Sequence, residues 1–214
     1  DYANVPWMFR LGPDDRQQLS VLLDHAHKQG WNRLVWIGAD ERDSHIAEAT
    51  ARRLAAAMGD MMVTDDPQVA DAMLVWGSVD AAPDLLAAAG RLAAGRPLLG
   101  PWMLAAGSGP SANQALHICV PAGKGGMPPI DFRRRLPPGM SPAAQWMAAL
   151  TYDAVELLAQ ALAGGATTPT QLRGAVATAD DRGLSGPISF DTLGGRRVPA
   201  LVVRREPDLA SHMP

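Results

Sequence analysis

"GWNRLVWIGADERDSHIAEA", residues 30–49, decides the fold. Its residues 34–37 form a continuous apolar run, which is typical of a strand buried on both faces of a parallel sheet. The polar residues 38–43 end that strand, and Ser44 is the predicted N-cap of a helix that runs to Met58. Strand, loop and helix in this order are one half of a βαβ unit, which predicts an α/β protein.

The same pattern repeats on both sides of this stretch. Upstream, apolar residues at helical spacing predict a helix over residues 16–28, with Asp14 or Asp15 as its N-cap and Gly30 at its end. Downstream, the predicted strands are residues 61–63, 73–76, 98–99 and 116–120, and the predicted helix among them is residues 84–93. Strands that alternate with helices at these lengths predict a parallel sheet with helices on both faces.

The chain changes character after residue 120. Residues 121–142 are rich in proline and glycine, which favours a connector between lobes. Ser141 with Pro142 predicts the start of a long helix to residue 163, and a second Pro-led helix is predicted over residues 169–177.

A hairpin is predicted near the end, in "GLSGPISFDTLGGRR", residues 183–197. Ile188 and Phe190 fall on one face of a strand, Gly194 with the glycine after it supplies a tight turn, and residues 198–203 are the predicted return strand.

Composition excludes several classes of function. The chain has 214 residues, of which 47% are hydrophobic, and its net charge is −3. The length and the hydrophobic content are enough for one large or two modest globular units. The net charge offers no general attraction to nucleic acid or anionic lipid. No apolar run reaches the ~20 residues of a membrane span. The chain opens without a basic and apolar start, so we expect that it lacks a signal peptide or has already lost one.

No catalytic or metal-binding set emerges from the sequence. His25 and His27 lie two residues apart, on different faces of their helix, which argues against a shared metal. The single cysteine, Cys119, excludes an intramolecular disulfide, and its apolar strand predicts a small buried side chain. A Gly-x-Ser-x-Gly elbow is absent. We therefore expect no enzyme, no cofactor and no metal.

Several stretches together resemble the type I periplasmic binding proteins, in particular the branched-chain amino-acid (Leu/Ile/Val) binding receptors of ABC transporters. They are "WMFRLGPDDRQQ" (7–18), residues 30–49, "ADAMLVWGSVDAAPDLLAAA" (70–89), "RPLLGPWML" (96–104), "ALTYDAVELLAQAL" (149–162) and residues 183–197. Their order and spacing carry the resemblance, since each motif alone is weak.

The resemblance also implies a division of the chain. Residues 11–120 would be the second, ligand-binding lobe, residues 121–182 the helices that return to an incomplete first lobe, and residues 183–205 the closing hairpin and hinge segment. Nothing here resembles the βαβαβ block that begins the family's first lobe. We expect that block to come from another chain, or the present chain to be a fragment.

The candidate ligand-binding residues follow from the parallel sheet and from the resemblance. Ligands bind beyond the carboxyl ends of parallel strands, where loops lead into helix N-termini. By resemblance, these loops place Asp43, Ser44, Ser78 and Trp102 at the ligand. Asp80 and Met103 lie in the same loops and are candidates for that reason.

Trp102 stands where the amino-acid receptors have an acidic residue that pairs with the ligand's ammonium group. An indole cannot neutralise an ammonium as a carboxylate does, so we expect a small ligand that is largely apolar or bulky. Alternatives remain for individual residues: Trp102 is either a ligand contact or a packing residue, and Asp43 and Asp80 either pair with a positive group or are solvated. Trp36 is predicted to be core.

The resemblance implies a solute-binding protein that delivers a small molecule to an ABC permease. It implies a location in the periplasm, or outside the cell in association with the membrane. The alternative is a ligand-sensing domain of a receptor or regulator with the same fold.

Overall fold

The computed structural model describes residues 7–105, 115–121, 127–197 and 201–205. The strands of this part are β1 (Arg33–Gly38), β2 (Met62–Thr64), β3 (Ala72–Trp76), β4 (Leu98–Pro101), β5 (Leu116–Pro121), β6 (Asp180–Gly183), β7 (Gly186–Ser189) and β8 (Leu201–Arg205). The helices are α1 (Asp15–Lys28), α2 (Arg42–Ala57), α3 (Ala82–Ala93), α4 (Ile130–Arg133), α5 (Pro142–Ala163) and α6 (Pro169–Ala177), with a 3₁₀ turn at Trp102–Leu104.

The larger sheet has the strand order β2-β1-β3-β4-β5-β8. The first five strands in this order are parallel, and β8 pairs antiparallel with β5. One face of the sheet packs against α1 and α2, and the other packs against α3 and the first half of α5. The predicted α/β fold, a parallel sheet with helices on both faces, is confirmed.

Burial explains why the central strands read as continuous apolar runs. All five residues of β3 are buried. Met73 and Val75 join the core on the α3 side, while Leu74 and Trp76 join the core on the α1–α2 side. Because successive side chains of a strand point to opposite faces, a strand covered on both faces needs an apolar residue at every position.

Local signals placed most helix ends correctly. Asp14 caps α1, and its carboxylate accepts from the backbone N–H of Gln17 at 2.7 Å, as predicted. Ser141 caps α5 in the same way. The predicted cap at Ser44 is wrong, because Glu41 already has the extended N-cap backbone and α2 begins at Arg42. Ser44 therefore lies inside the first turn of the helix.

The second half of α5 packs with α6 and with the β6–β7 hairpin around a smaller apolar cluster. Its buried members are Leu157, Val176, Ile188 and Phe190. The bounds of α5 and α6 match the prediction, whereas α4, inside the proline- and glycine-rich connector, was not predicted.

The predicted C-terminal hairpin is correct at its turn, where Phe190 and Arg196 form an antiparallel bridge. It is wrong for residues 201–203 of the predicted return strand. Strand β7 pairs antiparallel with β6, and residues 201–205 join the large sheet beside β5. The predicted turn at Gly194 exists, since the Asp191 N–H donates to the Gly195 carbonyl at 2.8 Å, but residues 198–200 of the predicted return strand lie outside the described part. Residues 201–205 form a ladder of backbone hydrogen bonds along the edge of β5. A local sequence pattern does not reveal such a long-range pairing.

A histidine pair joins α1 to β5 at the edge of the sheet where the parallel strands begin. His25 Nε2 lies 3.2 Å from His117 Nδ1, and the Trp31 ring meets both imidazoles edge-on. Burial lowers the pKa of His25, with Lys28 acting in the same direction and Asp24 opposing both. Folding therefore favours the neutral form of the His25 imidazole over the charged form, relative to the unfolded chain.

This pair predicts a loss of stability on acidification. Because the pKa of His25 is lower in the folded protein than in the unfolded chain, the unfolded chain binds more protons as the pH falls below about 6.5, the ordinary value for histidine. We expect the free energy of unfolding to fall between pH 8 and pH 5, and to fall less in His25→Gln. Urea titrations at both pH values test this, with exposed His27→Gln as the control. An identical pH dependence in His25→Gln and the parent chain would contradict it.

Candidate ligand-binding site

The candidate site lies at the edge of the sheet where β1, β3 and β4 end. These three strands are parallel neighbours, so their carboxyl ends lie side by side. They lead into the N-termini of α2 and α3 and into the 3₁₀ turn, and the N-terminus of α5 adjoins that turn through the Ala143 N–H, which donates to the Ala105 carbonyl at 3.2 Å. Loops and unpaired helix N–H groups therefore gather at one edge, as in ligand sites of open α/β sheets.

The predicted polar residues at this edge differ in exposure. Asp43 and Asp80 are exposed, and each lies at or before the first turn of a helix. Ser78 is half-buried, and its hydroxyl oxygen accepts from the Ala81 N–H at 3.4 Å. Ser44 is only 3% exposed. The two carboxylates and Ser78 are thus accessible from the edge, while Ser44 lies beneath it.

Trp102 is a packing residue in this structure. It is 5% exposed and belongs to the core on the α3 side of the sheet, against which the half-buried Met103 also packs. Its backbone N–H donates to the Gln18 side-chain oxygen at 3.4 Å, which ties the 3₁₀ turn to α1. The ligand contact that the sequence predicts for Trp102 stays a prediction.

Ser44 and Trp36 meet over Gly38 at the end of β1. The Ser44 hydroxyl has no hydrogen-bond partner among the described residues. Trp36 is half-buried and stacks on Trp76, with ring centroids 5.8 Å apart and planes at 26°. A Cβ atom at Gly38 would overlap both the Ser44 oxygen and the Trp36 indole nitrogen. The glycine is what allows the indole and the hydroxyl to approach each other.

Gly38→Ala is therefore expected to destabilise the protein by about 1–3 kcal/mol, because the added methyl group displaces Trp36 or Ser44. The control is Gly174→Ala in α6, where an added Cβ meets nothing within 4 Å. There the change removes a helix glycine and is expected to stabilise by about 0.5–1 kcal/mol. Urea unfolding of both variants measures the two effects. Equal stability changes in the two would contradict the close approach at Gly38.

A half-buried carboxylate at the start of α1 also belongs to this edge. Burial raises the pKa of Asp15, and the negative charges of Asp14 and Asp43 raise it further. Asp43 acts on it because the N-termini of α1 and α2 lie on the same face of the sheet. The sequence analysis named Asp43 as a site residue but not Asp15. The signal for Asp15 was that the helices before and after β1 pack on the same face of the sheet, which brings their N-termini together.

An apolar groove lies away from this edge of the sheet. It has a volume of about 390 Å³ and separates α5 and α6 from residues 7–11, with Trp7, Leu158 and Leu172 in its wall. Among the described residues, no three histidine, cysteine or acidic side chains are grouped so that they could hold a metal. No helix in the same residues combines the length and apolar character that crossing a membrane requires.

The fold matches that of the type I periplasmic binding proteins. Solved structures with this fold include a leucine-binding protein from Thermotoga maritima, with 18% identity over 94% of this chain and a TM-score of 0.75. An ABC transporter substrate-binding protein from Desulfitobacterium hafniense in complex with Leu shares 21% identity over 92% of this chain, with a TM-score of 0.69. A solute-binding protein from R. palustris in complex with benzoate shares 16% over 93%, with a TM-score of 0.67.

At these identities the likeness shows the fold alone. The chain spans 64–65% of the length of these three structures. No protein-family model matches this chain, and no curated protein matches it.

Proposed function

We propose that this chain is the ligand-binding part of a solute-binding protein that serves an ABC transporter. The supporting observation is the gathering of helix N-termini at the ends of β1, β3 and β4, in a fold that the solved substrate-binding proteins share. The protein binds its ligand by burying it between two lobes and breaks no bond in it. Its place is the periplasm, or the outside of the cell next to the membrane, and an ABC permease receives the ligand.

The ligand is a small molecule with a largely apolar body. Asp43, Ser78 and Asp80 supply polar contacts from the accessible edge, and Ser44, Trp102 and Met103 form the layer beneath them. Three solved neighbours support this class of ligand, because their complexes contain benzoate, 4-hydroxybenzoate and 3,4-dihydroxybenzoic acid. Each of these is a compact acid with an apolar body.

We divide the lobes at the bounds drawn from the sequence: residues 11–120 form the second lobe, residues 121–182 return to an incomplete first lobe, and residues 183–205 are the closing hairpin and hinge segment. An apolar stripe on α5 supports this division. Met147, Val155, Leu158 and Leu162 repeat at helical spacing and are each about half exposed or more. Such a stripe is unusual on a free surface. A first-lobe sheet covers it, and this sheet comes from a second chain or from a longer form of the same polypeptide.

Mass spectrometry and calorimetry test the function together. The chain is purified and denatured, and any released small molecule is identified; its binding, and that of benzoate and leucine, is then measured by titration calorimetry. We expect a compact, largely apolar molecule whose affinity falls about tenfold in Ser78→Ala, as for the loss of one hydrogen bond, and also falls in Trp102→Ala. Trp31→Ala, at the opposite edge of the sheet, is the control.

Two results would contradict the proposal. One is the absence of binding by every acid tested together with the absence of any released molecule. The other is chemical conversion of the bound molecule, since a solute-binding protein returns its ligand unchanged. A third result concerns the ligand alone: leucine binds tightly and Trp102→Ala abolishes that binding. The proposed function would then stand, but the ligand would be an α-amino acid, which the tryptophan at position 102 argues against.

A further inference from the structure

Ser44 carries a buried hydroxyl that no other described group satisfies. The residue is 3% exposed, lies in the first turn of α2, and has no hydrogen-bond partner among the described residues. A hydroxyl on a helix commonly donates to the carbonyl four residues earlier, as Thr50 of the same helix does to Ile46 at 2.9 Å. Because an unpaired buried hydroxyl is unfavourable, the Ser44 hydroxyl indicates an interaction that the described residues do not complete.

The hydroxyl borders a space over Gly38, at the end of β1. A Cβ atom at Gly38 would overlap both the Ser44 oxygen and the Trp36 indole nitrogen, so both groups face the room that the missing side chain leaves. Gly38 and Trp36 are each half-buried, and the space is therefore reached from the edge of the sheet. The Trp36 ring, stacked on Trp76, gives this space an apolar aromatic wall.

The start of α2 disfavours a cation in this space. Glu41 is the N-cap residue, and its side chain makes no capping hydrogen bond. The N–H groups of the first turn have no acceptor within a helix, and they give this end of the helix a partial positive charge. The helix end that carries Ser44 therefore favours a hydrogen-bond acceptor over a positive group.

The carboxylates at the same edge disfavour an anion. Burial raises the pKa of Asp15, and the charges of Asp14 and Asp43 raise it further, so these carboxylates lie close enough to act on one another. A carboxylate or phosphate in the space would add one more negative charge to them. A hydroxyl group meets both conditions, because its oxygen accepts from the Ser44 hydroxyl and its own proton is free for a carboxylate or for water.

We propose that the space over Gly38, between Trp36 and Ser44, is a subsite for a hydroxyl group that is carried on an aromatic or other apolar body. The Ser44 hydroxyl donates to the oxygen of the ligand's hydroxyl group, and the Trp36 indole packs against the apolar body. This inference rests on the proposed binding function and deepens it, because it assigns one chemical group of the ligand to one place at the edge. It sets no condition on the groups at the other end of the ligand.

Phenol and toluene are matched probes of this subsite, because one carries a hydroxyl group where the other carries a methyl group. Proton–nitrogen NMR spectra of the whole chain show the indole N–H of each tryptophan, and Trp36→Phe identifies the signal of Trp36. We expect phenol to shift this signal and to bind about tenfold more tightly than toluene, as for one hydrogen bond. Ser44→Ala is expected to abolish this preference, whereas Ser20→Ala, at an exposed serine of α1, keeps it.

The stability of Ser44→Ala separates a ligand contact from a structural role. The change removes an unpaired buried hydroxyl and introduces a better helix former, so we expect the urea midpoint to rise. A lower midpoint, or a chain that does not fold, would show that the hydroxyl has a partner within the chain and would overturn the inference. Phenol that leaves the Trp36 signal unchanged overturns it too, and so does an equal preference for phenol in Ser44→Ala and the parent chain.

The outcomes also distinguish this subsite from the proposed function. A molecule released from the purified chain that binds tightly again but has no hydroxyl group overturns the subsite and leaves the function standing. Selective binding of phenol that depends on Ser44, in a chain that binds no solute, leaves the subsite standing and contradicts the function.

Discussion

Asp153→Ala is expected to lower the free energy of unfolding by about 3–5 kcal/mol, the cost of removing one charge from a buried and hydrogen-bonded charged network. The change removes the acceptor for two backbone N–H groups and for the Ser185 hydroxyl. It also leaves the Arg196 guanidinium buried without the negative charge that partly offsets its burial. Urea unfolding followed by circular dichroism measures the loss.

The matched control is Asp180→Ala on β6, since this aspartate is exposed. Surface substitutions of this kind usually change the stability by less than about 0.5 kcal/mol. A second comparison, Asp153→Asn, keeps the shape of the side chain but not its charge, and should lie between the two. A loss of stability below about 1 kcal/mol for Asp153→Ala would contradict the burial and the hydrogen bonds of the Asp153 carboxylate.

Asp153 also marks a limit of what the sequence could predict. It lies inside "ALTYDAVELLAQAL", a stretch whose helix was predicted correctly from its Ser-Pro start and its apolar spacing. The burial of the carboxylate was not predictable in the same way, because its partners lie 31 and 32 residues further along the chain. Local patterns report caps and periodicity; they do not report which distant turn folds onto a helix.

The same distinction runs through the sheet. The strands β1, β3 and β4 were predicted because burial on both faces leaves an apolar run in the sequence itself. The place of residues 201–205 was not predicted, since their pairing with β5 depends on an edge built more than eighty residues earlier. The location of the candidate site was predictable, because the carboxyl ends of parallel strands lie at one edge of the sheet. The burial of Ser44 and Trp102 was not predictable, because it depends on how helices and turns pack over that edge.

The second large effect is expected at Gly194, which makes the turn before Arg196. Its φ of 77° is left-handed, and the Arg10 N–H donates to its carbonyl at 2.8 Å. A Cβ atom at this position would overlap the backbone carbonyl of Met8. Because a backbone group cannot rotate aside as a side chain does, either residues 8–10 or the turn must move.

Gly194→Ala is expected to destabilise the chain by about 3 kcal/mol, the sum of a left-handed backbone cost and an overpacking cost. Gly59→Ala separates the two, because Gly59 has a φ of 86° but nothing within 4 Å of an added Cβ. It should lose only the backbone part, about 1–2 kcal/mol. Urea unfolding gives both values. An equal loss in the two variants would show that the turn does not press on the backbone of residues 8–10. The Arg196 guanidinium, which donates to the Leu11 carbonyl at 3.1 Å, would then lack the close backbone contact that holds it there.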